Sequence, residues 1–282
     1  MTNILFEISN KLNKFSRSEQ KIGRYILAHV TEVTKMSTAE LATASGVSTA
    51  TVTRFGKLIV PDGGYPELKM KLALEKNIDK TLYDEINPKD SIESIKDKLA
   101  LRINHTIEAT NALLKEDILS QASHYIFEKK SIYVYGLGAS DVAARDFTQK
   151  FMRIGKSIIH SQDTHLLAAG LTTQSEDAGL VLFSNSGEKL ESIKLAEVAR
   201  SLKIPVISVS SNRYSTLGKL SDVVVVNDDS EENQTARSAA TTSLMAQLYV
   251  VDMLYYTFIT NDYQRNIKQL VESQKTIKKH FS

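Results

Sequence analysis

Residues 180–191 read LVLFSNSGEKLE, and this stretch decides the fold class of the C-terminal part of the chain. Four apolar residues run directly into a polar corner, and a helical pattern of charged and apolar residues follows. A short apolar run that ends at a turn and precedes a helix is typical of a strand buried on both faces of a parallel sheet. The corner holds Ser184, Asn185, Ser186 and Gly187, whose polar groups either cap the helix or bind a ligand.

The same pattern recurs through residues 131–282. Short runs rich in β-branched residues, IYVYG, SIIH, GLVLFS, PVISVS and DVVVV, alternate with helical segments, and two long helices are expected at residues 237–258 and 262–279. Strands that alternate with helices indicate a parallel sheet covered by helices on both faces. The sequence therefore predicts a three-layer α/β domain for residues 131–282.

The composition of the 282-residue chain is that of a globular protein, with 42% hydrophobic and 24% charged residues. It contains no cysteine, which excludes disulfides and thiolate metal sites and fits a cytoplasmic location. No signal peptide is recognisable at the N-terminus. The apolar stretch LMAQLYVVDMLYYTFI contains Gln247 and Asp252 and is short for a membrane span, so we expect a buried helix and no membrane contact.

The basic residues are concentrated at the front of the chain. Residues 1–80 read as short helices and carry 12 Lys and Arg against 8 Asp and Glu, whereas residues 81–282 carry 23 against 25. Periodicity is lost at TLYDEINP, residues 81–88, before a further helical stretch. We therefore divide the chain into an all-α domain at residues 1–80, a linker with connecting helices at 81–130, and the α/β domain.

Residues 38–57, TAELATASGVSTATVTRFGK, fit a helix-turn-helix. Ala42 supplies the small residue where two helices cross, Gly46 lies at the turn, and Ser48 is a natural cap for the second helix. Leu41, Val47 and Val52 are expected to form the shared core. The alternative that the residues leave open is an ordinary helical hairpin with solvated threonines.

The second helix of this motif presents short polar and basic side chains that are suited to base edges and phosphates. On a basic domain they indicate binding to double-stranded DNA. The predicted DNA-contacting residues are Ser48, Thr49, Ala50, Thr51, Thr53, Arg54 and Lys57.

A second polar corner follows the first predicted strand, in IYVYGLGAS. Gly136 and Gly138 bring backbone N–H groups close together, and Ser140 adds a hydroxyl at the start of a helix. A dinucleotide fingerprint would need a third glycine where Asp141 stands, so a nicotinamide cofactor is not expected. Two such corners at the ends of parallel strands predict a small phosphorylated, polyhydroxylated ligand; the alternative is that serines and glycines only form caps and turns.

Two further groups of polar residues carry weaker signals. The strand end VISVSSNRYSTLGKL adds Ser211, Asn212, Arg213 and Ser215. Arg213 is expected to be solvated, and the alternative is that it reaches an anionic group. His160, Asp163 and His165 lie close in the sequence, but no third strong ligand follows at a familiar spacing. We therefore expect neither a metal site nor a cofactor.

The combination of these motifs resembles the RpiR-type bacterial transcriptional regulators, whose C-terminal half is a sugar isomerase (SIS) domain. The resemblance rests on MSTAELATASGVSTATVTRFGKL, YPELKMKLA, VYGLGAS, SNSGEKLE and RSAATTSLMAQLYVVDMLY, and it covers essentially the whole chain. It implies a helix-turn-helix domain followed by a five-stranded parallel SIS sheet, a homodimer or homotetramer, and a sugar-phosphate effector. Residues 90–130 would then transmit the effector signal to the DNA-binding domain.

The resemblance also implies roles for residues at the two corners. Ser140 matches the serine after the glycine turn, and Ser184 and Ser186 match phosphate-loop serines. Where the family commonly has a threonine, this chain has Lys189, which we expect to approach the phosphate. The predicted effector-binding residues are Gly138, Ser140, Ser184, Asn185, Ser186 and Lys189.

Two other function classes remain open from the sequence. An aldose–ketose isomerase would need a general base beside the sugar, for which Glu231 and Glu232 are candidates. Their surroundings, DDSEENQTARSAA, do not match the isomerase motif well, and no isomerase needs a basic helix-turn-helix. The third class is a DNA-binding scaffold whose α/β domain binds no ligand. We predict a regulator without catalytic residues.

Overall fold

The computed structural model describes residues 4–75, 86, 88–229 and 240–281. The chain forms two compact units, residues 1–105 and residues 106–282. The predicted boundary between residues 80 and 81 lies outside the described residues. The division into 1–80, 81–130 and 131–282 therefore stays a prediction.

The N-terminal unit is helical, as predicted. Its helices are α1 (Ile4–Lys11), α2 (Arg17–Ala28), α3 (Val30–Val33), α4 (Thr38–Ser45), α5 (Thr49–Ile59) and α6 (Gly64–Glu75), with a 3-10 turn at Leu12–Lys14. Helix α7 (Ile92–Leu113) contains the division between the two units and contributes residues to both.

Local side-chain hydrogen bonds set the ends of α2 and α4. Ser16 forms a capping box with Glu19, and Ser37 forms a second box with Glu40, so each pair satisfies two backbone N–H groups of its helix start. Helix α4 ends at Gly46, whose φ of +65° is a left-handed conformation that glycine adopts without strain. This turn separates α4 from α5 and produces the predicted helix-turn-helix.

The core of the N-terminal unit holds α5 in place. Val52 and Phe55 are fully buried, and the Phe55 ring meets the Phe15 ring edge-on at 5.4 Å. Gly56 lies so close to the backbone of Tyr65 that a methyl group would overlap it, which allows α6 to pack directly on α5. The hydroxyl of Tyr65 donates to the carbonyl of Met36 at 3.1 Å, and burial raises the pKa of Tyr65 to about 12.

The C-terminal unit contains a five-stranded parallel sheet, which confirms the predicted fold class. The strands are β1 (Ser131–Gly136), β2 (Ser157–His160), β3 (Ala178–Phe183), β4 (Val206–Ser210) and β5 (Val223–Val226), in the order β2-β1-β3-β4-β5. The helices are α8 (Glu116–Glu128), α9 (Ala139–Arg153), α10 (Thr164–Thr173), α11 (Leu190–Ser201), α12 (Thr216–Leu220), α13 (Thr242–Asn261) and α14 (Tyr263–Phe281).

Helices cover both faces of this sheet because its strands are apolar on both sides. Val134, Val181 and Phe183 face one core, which also contains residues of α8, α9 and α13. Tyr135 and Leu182 face the other core, with residues of α10, α11 and α12. The alternation along each strand thus produces three layers and fixes the register of the sheet.

The predicted helix at residues 237–258 begins at Thr242 within the described residues and ends at Asn261. Residues 230–239, which include the first part of the prediction, are not described. Across the part of the chain that the structure covers, no helix is both long enough and apolar enough to cross a bilayer.

The close approach at Gly56 predicts an asymmetry between two helical glycines of the N-terminal unit. Gly56→Ala is expected to destabilise this unit by about 1–3 kcal/mol, because the new methyl group meets backbone atoms of Tyr65 that cannot rotate away. Gly23→Ala in α2 is the matched control, because its methyl group meets the flexible side chain of Leu12 and alanine favours the helix. Hydrogen exchange measured by mass spectrometry on full-length protein compares the two. Equal protection of α5 and α6 in both variants would contradict the packing described here.

Candidate functional site

Helix α5 presents an exposed face opposite its buried one. Val52, Phe55 and Ile59 are buried, and the exposed residues follow the helical repeat on the other side. Of the seven predicted DNA-contacting residues, only Thr51 is half-buried; the exposed ones are Ser48, Thr49, Ala50, Thr53, Arg54 and Lys57.

Three of these hydroxyls already form hydrogen bonds in the N-terminal part of α5. The Ser48 Oγ accepts from the backbone N–H of Thr51 at 3.2 Å and lies 2.8 Å from the Thr51 Oγ1, so this pair caps the helix. The Thr53 hydroxyl donates to the carbonyl of Thr49 at 3.0 Å. The cationic groups of Arg54 and Lys57 are the strongest electrostatic features of the face.

One acidic group lies near this face. Hydrogen bonds from Ser16 hold the pKa of Glu19 below its usual value, and the positive charge of Arg54 lowers it further. Glu19 is therefore ionised at neutral pH and lies within electrostatic range of Arg54.

The two polar corners of the C-terminal unit open at the same edge of the sheet. Strands β1 and β3 are neighbours, and Gly136 at the end of β1 is paired with Phe183 at the end of β3. The strand order reverses between β1 and β3, because β2 lies on one side of β1 and β3 on the other. In open parallel sheets, ligands bind in the crevice at such a reversal.

Glycines shape the corner that follows β1. Gly138 has φ +62° and ψ −124°, a conformation available only to glycine, and it directly precedes α9. At Gly136 a methyl group would overlap the backbone of Ser140, so the chain can fold back closely only because no side chain is present. Ser140 is the second residue of α9 and is half-buried beside the turn.

Asp141 stands where a dinucleotide-binding fingerprint would need a glycine. In the structure, its negative charge is compensated by neighbouring side chains. Its buried carboxylate accepts from Arg145 Nε at 2.6 Å and lies 2.7 Å from His160 Nε2. His160 at the end of β2 therefore pairs with Asp141 in the first turn of α9. Among the described residues, no three His, Cys, Asp or Glu side chains form a group that could hold a metal.

The corner that follows β3 contains an unpaired buried hydroxyl. Ser184 is 2% exposed, and its Oγ has no hydrogen-bond partner among the residues that the structure describes. The backbone N–H of Gly187 donates to the Ser184 carbonyl at 3.0 Å, which closes the turn. Ser186 is exposed and its Oγ accepts from the N–H of Glu188 at 3.3 Å, while Lys189 is exposed at the N-cap of α11.

Hydrogen bonds tie this corner to the ends of β4 and β5. The carbonyl of Asn185 accepts from the hydroxyls of Ser210 and Ser211 at 3.1 and 2.9 Å. The side-chain oxygen of Asn185 accepts from Asn227 Nδ2 at 2.8 Å. Our sequence analysis missed Ser210 and Asn227, although each is a polar residue at the end of an apolar run, which is the signal used for the other corners.

Glu188 provides a further connection between these loops. Its carboxylate accepts from the backbone N–H of Thr216 at 2.9 Å. Hydrogen bonding to Thr216 holds the pKa of Glu188 below its usual value, so the carboxylate is charged at neutral pH. Gly187 packs against Ser215, where a methyl group would overlap the serine hydroxyl.

Comparison with known proteins identifies both units. Residues 2–78 match the family model of the helix-turn-helix domain of the rpiR family, and residues 125–256 match that of the SIS domain. An HTH-type transcriptional regulator of Thermotoga maritima is 30% identical over 97% of this chain and 98% of its own length. The regulator YbbH of Bacillus subtilis is 31% identical over 91% of this chain and 90% of its own.

Solved structures agree with this assignment. The Vibrio vulnificus NanR protein complexed with ManNAc-6P superposes with a TM-score of 0.61 at 25% identity, covering 98% of each chain. The sugar isomerase domain of an RpiR transcription factor from Sphaerobacter thermophilus shares the fold, with a TM-score of 0.55 at 14% identity over 64% of this chain and 98% of that one. The chain belongs to the RpiR family of helix-turn-helix transcriptional regulators and carries a C-terminal SIS domain.

Proposed function

We propose that this regulator controls genes of carbohydrate metabolism, and that a sugar phosphate bound between the two corners of the SIS domain changes its affinity for operator DNA. The observation that carries this proposal is the Ser184 hydroxyl, which is buried and unpaired within the described residues at the carboxyl end of β3. An unpaired buried hydroxyl costs about 1–3 kcal/mol, and a ligand that accepts from it would recover that energy.

The chemistry of the corners favours a phosphorylated, hydroxyl-rich ligand. Two glycine turns lead into α9 and α11, whose first-turn N–H groups suit an anion. The proposed contacts are Gly138, Ser140, Ser184, Asn185, Ser186 and Lys189. The related NanR protein is complexed with ManNAc-6P, which supports this ligand class.

The DNA-binding step is proposed for the exposed face of α5. We infer that a homodimer, or a homotetramer built from such dimers, holds these helices in pairs. The operator is then a near-palindrome whose half-sites lie one helical turn or a multiple apart. Because operator binding requires access to the chromosome, we place the protein in the cytoplasm.

The alternative function, an aldose–ketose isomerase, lacks support in the described site. Its candidate bases, Glu231 and Glu232, lie outside the described residues. Glu188 is engaged by Thr216, and Asp141 is engaged by Arg145 and His160. We propose that the chain binds its sugar phosphate without converting it.

The first prediction concerns the DNA-binding face. Arg54→Ala and Lys57→Ala are expected to weaken binding to an operator selected from a randomised duplex pool. If the residue contacts a phosphate, the slope of log affinity against log salt falls by about 1. If it contacts a base, discrimination at one position falls by about 1–3 kcal/mol. Fluorescence anisotropy over a salt series measures both.

Lys14→Ala is the matched control, since Lys14 is an exposed cation of the same unit outside α4 and α5. It removes the same charge and is expected to leave the operator affinity within about twofold. A loss of affinity as large as that of Arg54→Ala would mean that net charge, and not the α5 face, governs binding.

The second prediction concerns Ser184. In Ser184→Ala the sugar-phosphate-induced rise in melting temperature is expected to disappear. The variant without ligand is expected to be at least as stable as the wild type, because an unpaired polar group is removed. Thermal unfolding is measured against ManNAc-6P, glucose 6-phosphate, ribose 5-phosphate and inorganic phosphate.

Ser208→Ala is a close control. Ser208 is also fully buried with an unpaired hydroxyl in the described part of the chain, but it lies within β4 and not at a strand end. Its thermal response to sugar phosphates should match the wild type. Equal loss of the thermal response in both variants would show that this response does not depend on the corner. In the same assay, Lys189→Ala tests whether the Lys189 cation contributes to sugar-phosphate binding.

The third prediction concerns turnover. With each member of this panel that raises the melting temperature, NMR of a prolonged incubation should show the sugar phosphate unchanged and no solvent deuterium at C2. Deuterium incorporation or appearance of the ketose would establish an isomerase and contradict the proposed function.

A further inference from the structure

We infer that Thr110 and Asn227 couple the polar corner that follows β3 to helix α7. This corner, residues 184–187, is called the ligand corner below, and Thr110 is then a positioning residue for regulation. This inference rests on the proposed function, because it concerns how occupancy of the SIS corner reaches the DNA-binding unit. Each hydrogen bond and packing contact of the connection lies within one of the two units, and helix α7 contributes residues to both.

The first step joins the ligand corner to the end of β5. Asn185 lies between the two proposed phosphate-loop serines, and its Oδ1 accepts from Asn227 Nδ2 at 2.8 Å. Asn227 is 1% exposed, and its Nδ2 also donates to the carbonyl of Asp228 at 3.1 Å. A shift of Asn185 on ligand binding therefore changes the hydrogen bonds that hold residues 227 and 228.

The second step joins residue 228 to α7. The backbone N–H of Asp228 donates to Thr110 Oγ1 at 3.1 Å. Thr110 is fully buried in the C-terminal unit, so water cannot replace this bond when it is lost. Two hydrogen bonds, joined by the peptide bond between residues 227 and 228, thus connect the Thr110 hydroxyl to Asn185 in the ligand corner.

The third step is the helix itself. Earlier in α7, Leu101 packs against the core of the N-terminal unit. The His105 ring meets the Phe6 ring edge-on at 4.6 Å, and Phe6 is buried in the same core. Since an α-helix is stiff over a few turns, a displacement at Thr110 moves Leu101 and His105 with it.

A purely structural bond would stabilise the fold without affecting regulation. The two roles are separated by a thermodynamic quantity, the ratio of operator affinities with and without sugar phosphate, because this ratio equals the coupling between the sites. A change in stability alone leaves the ratio unchanged, whereas loss of a connecting contact reduces it.

The test compares two buried threonines one turn apart on α7. Thr110→Val removes the acceptor at nearly constant volume. Thr106→Val is the control, because Thr106 is equally buried and its hydroxyl has no hydrogen-bond partner within the described residues. Full-length proteins are titrated with the selected operator in the absence and presence of saturating ManNAc-6P, or of whichever panel sugar phosphate gives the largest thermal shift.

We expect Thr110→Val to bring the affinity ratio closer to one by about 2- to 30-fold. Thr106→Val should keep the wild-type ratio, and Thr110→Ser, which retains the hydroxyl, should restore most of it. Both valine variants should still show the ligand-induced rise in melting temperature. In hydrogen exchange, the ligand should alter protection of residues 106–113 in the wild type but not in Thr110→Val, a readout that needs no DNA.

A wild-type ratio in Thr110→Val, with the exchange response of α7 preserved, would overturn the inference and leave the proposed function intact. The opposite failure is also distinguishable. If the wild-type protein itself shows a ratio of one with every sugar phosphate that it binds, the proposed function is wrong and the coupling role of Thr110 is wrong with it.

Discussion

The arrangement of the two polar corners in the C-terminal unit depends on the direct pairing of β1 with β3. These strands are separated in the chain by β2, which lies at the edge of the sheet, and the reversal opens both glycine corners at one crevice. If β2 lay between them, the same corners would be roughly 10 Å apart, which is two strand spacings. Gly138 and Gly187, with φ of +62° and +68°, then turn each corner toward its helix.

Around this crevice, most of the polar groups described above hold the loops in place. Asn185 accepts from residues at the ends of β4 and β5, and Glu188 fixes the start of α12. Each such bond contributes only about 1 kcal/mol to the stability of the fold, but together these bonds define the shape of the corner. Ser184 at its centre has no partner among the described residues, so stability is lost at the position where a ligand would restore it.

The sequence predicted local features well and long-range ones poorly. The five apolar runs, the cap at Ser48 and the turn at Gly46 depend on neighbouring residues, and all are observed. The pairing of Asp141 with His160 was not foreseen, because the partners lie 19 residues apart on different elements. The bond from Asp228 to Thr110 spans 118 residues and carries no signature in the sequence.

The central claim is that a sugar phosphate bound between the two corners of the SIS domain changes the affinity of the regulator for operator DNA. Linkage requires the effect to be reciprocal, so the direct measurement is the dissociation constant of the sugar phosphate, by calorimetry, with and without saturating operator duplex. We expect operator to change this constant by the same factor, about 5- to 150-fold, by which the sugar phosphate changes operator affinity, and a scrambled duplex to have no effect. A dissociation constant that is identical with operator, with scrambled duplex and with no DNA would contradict the claim.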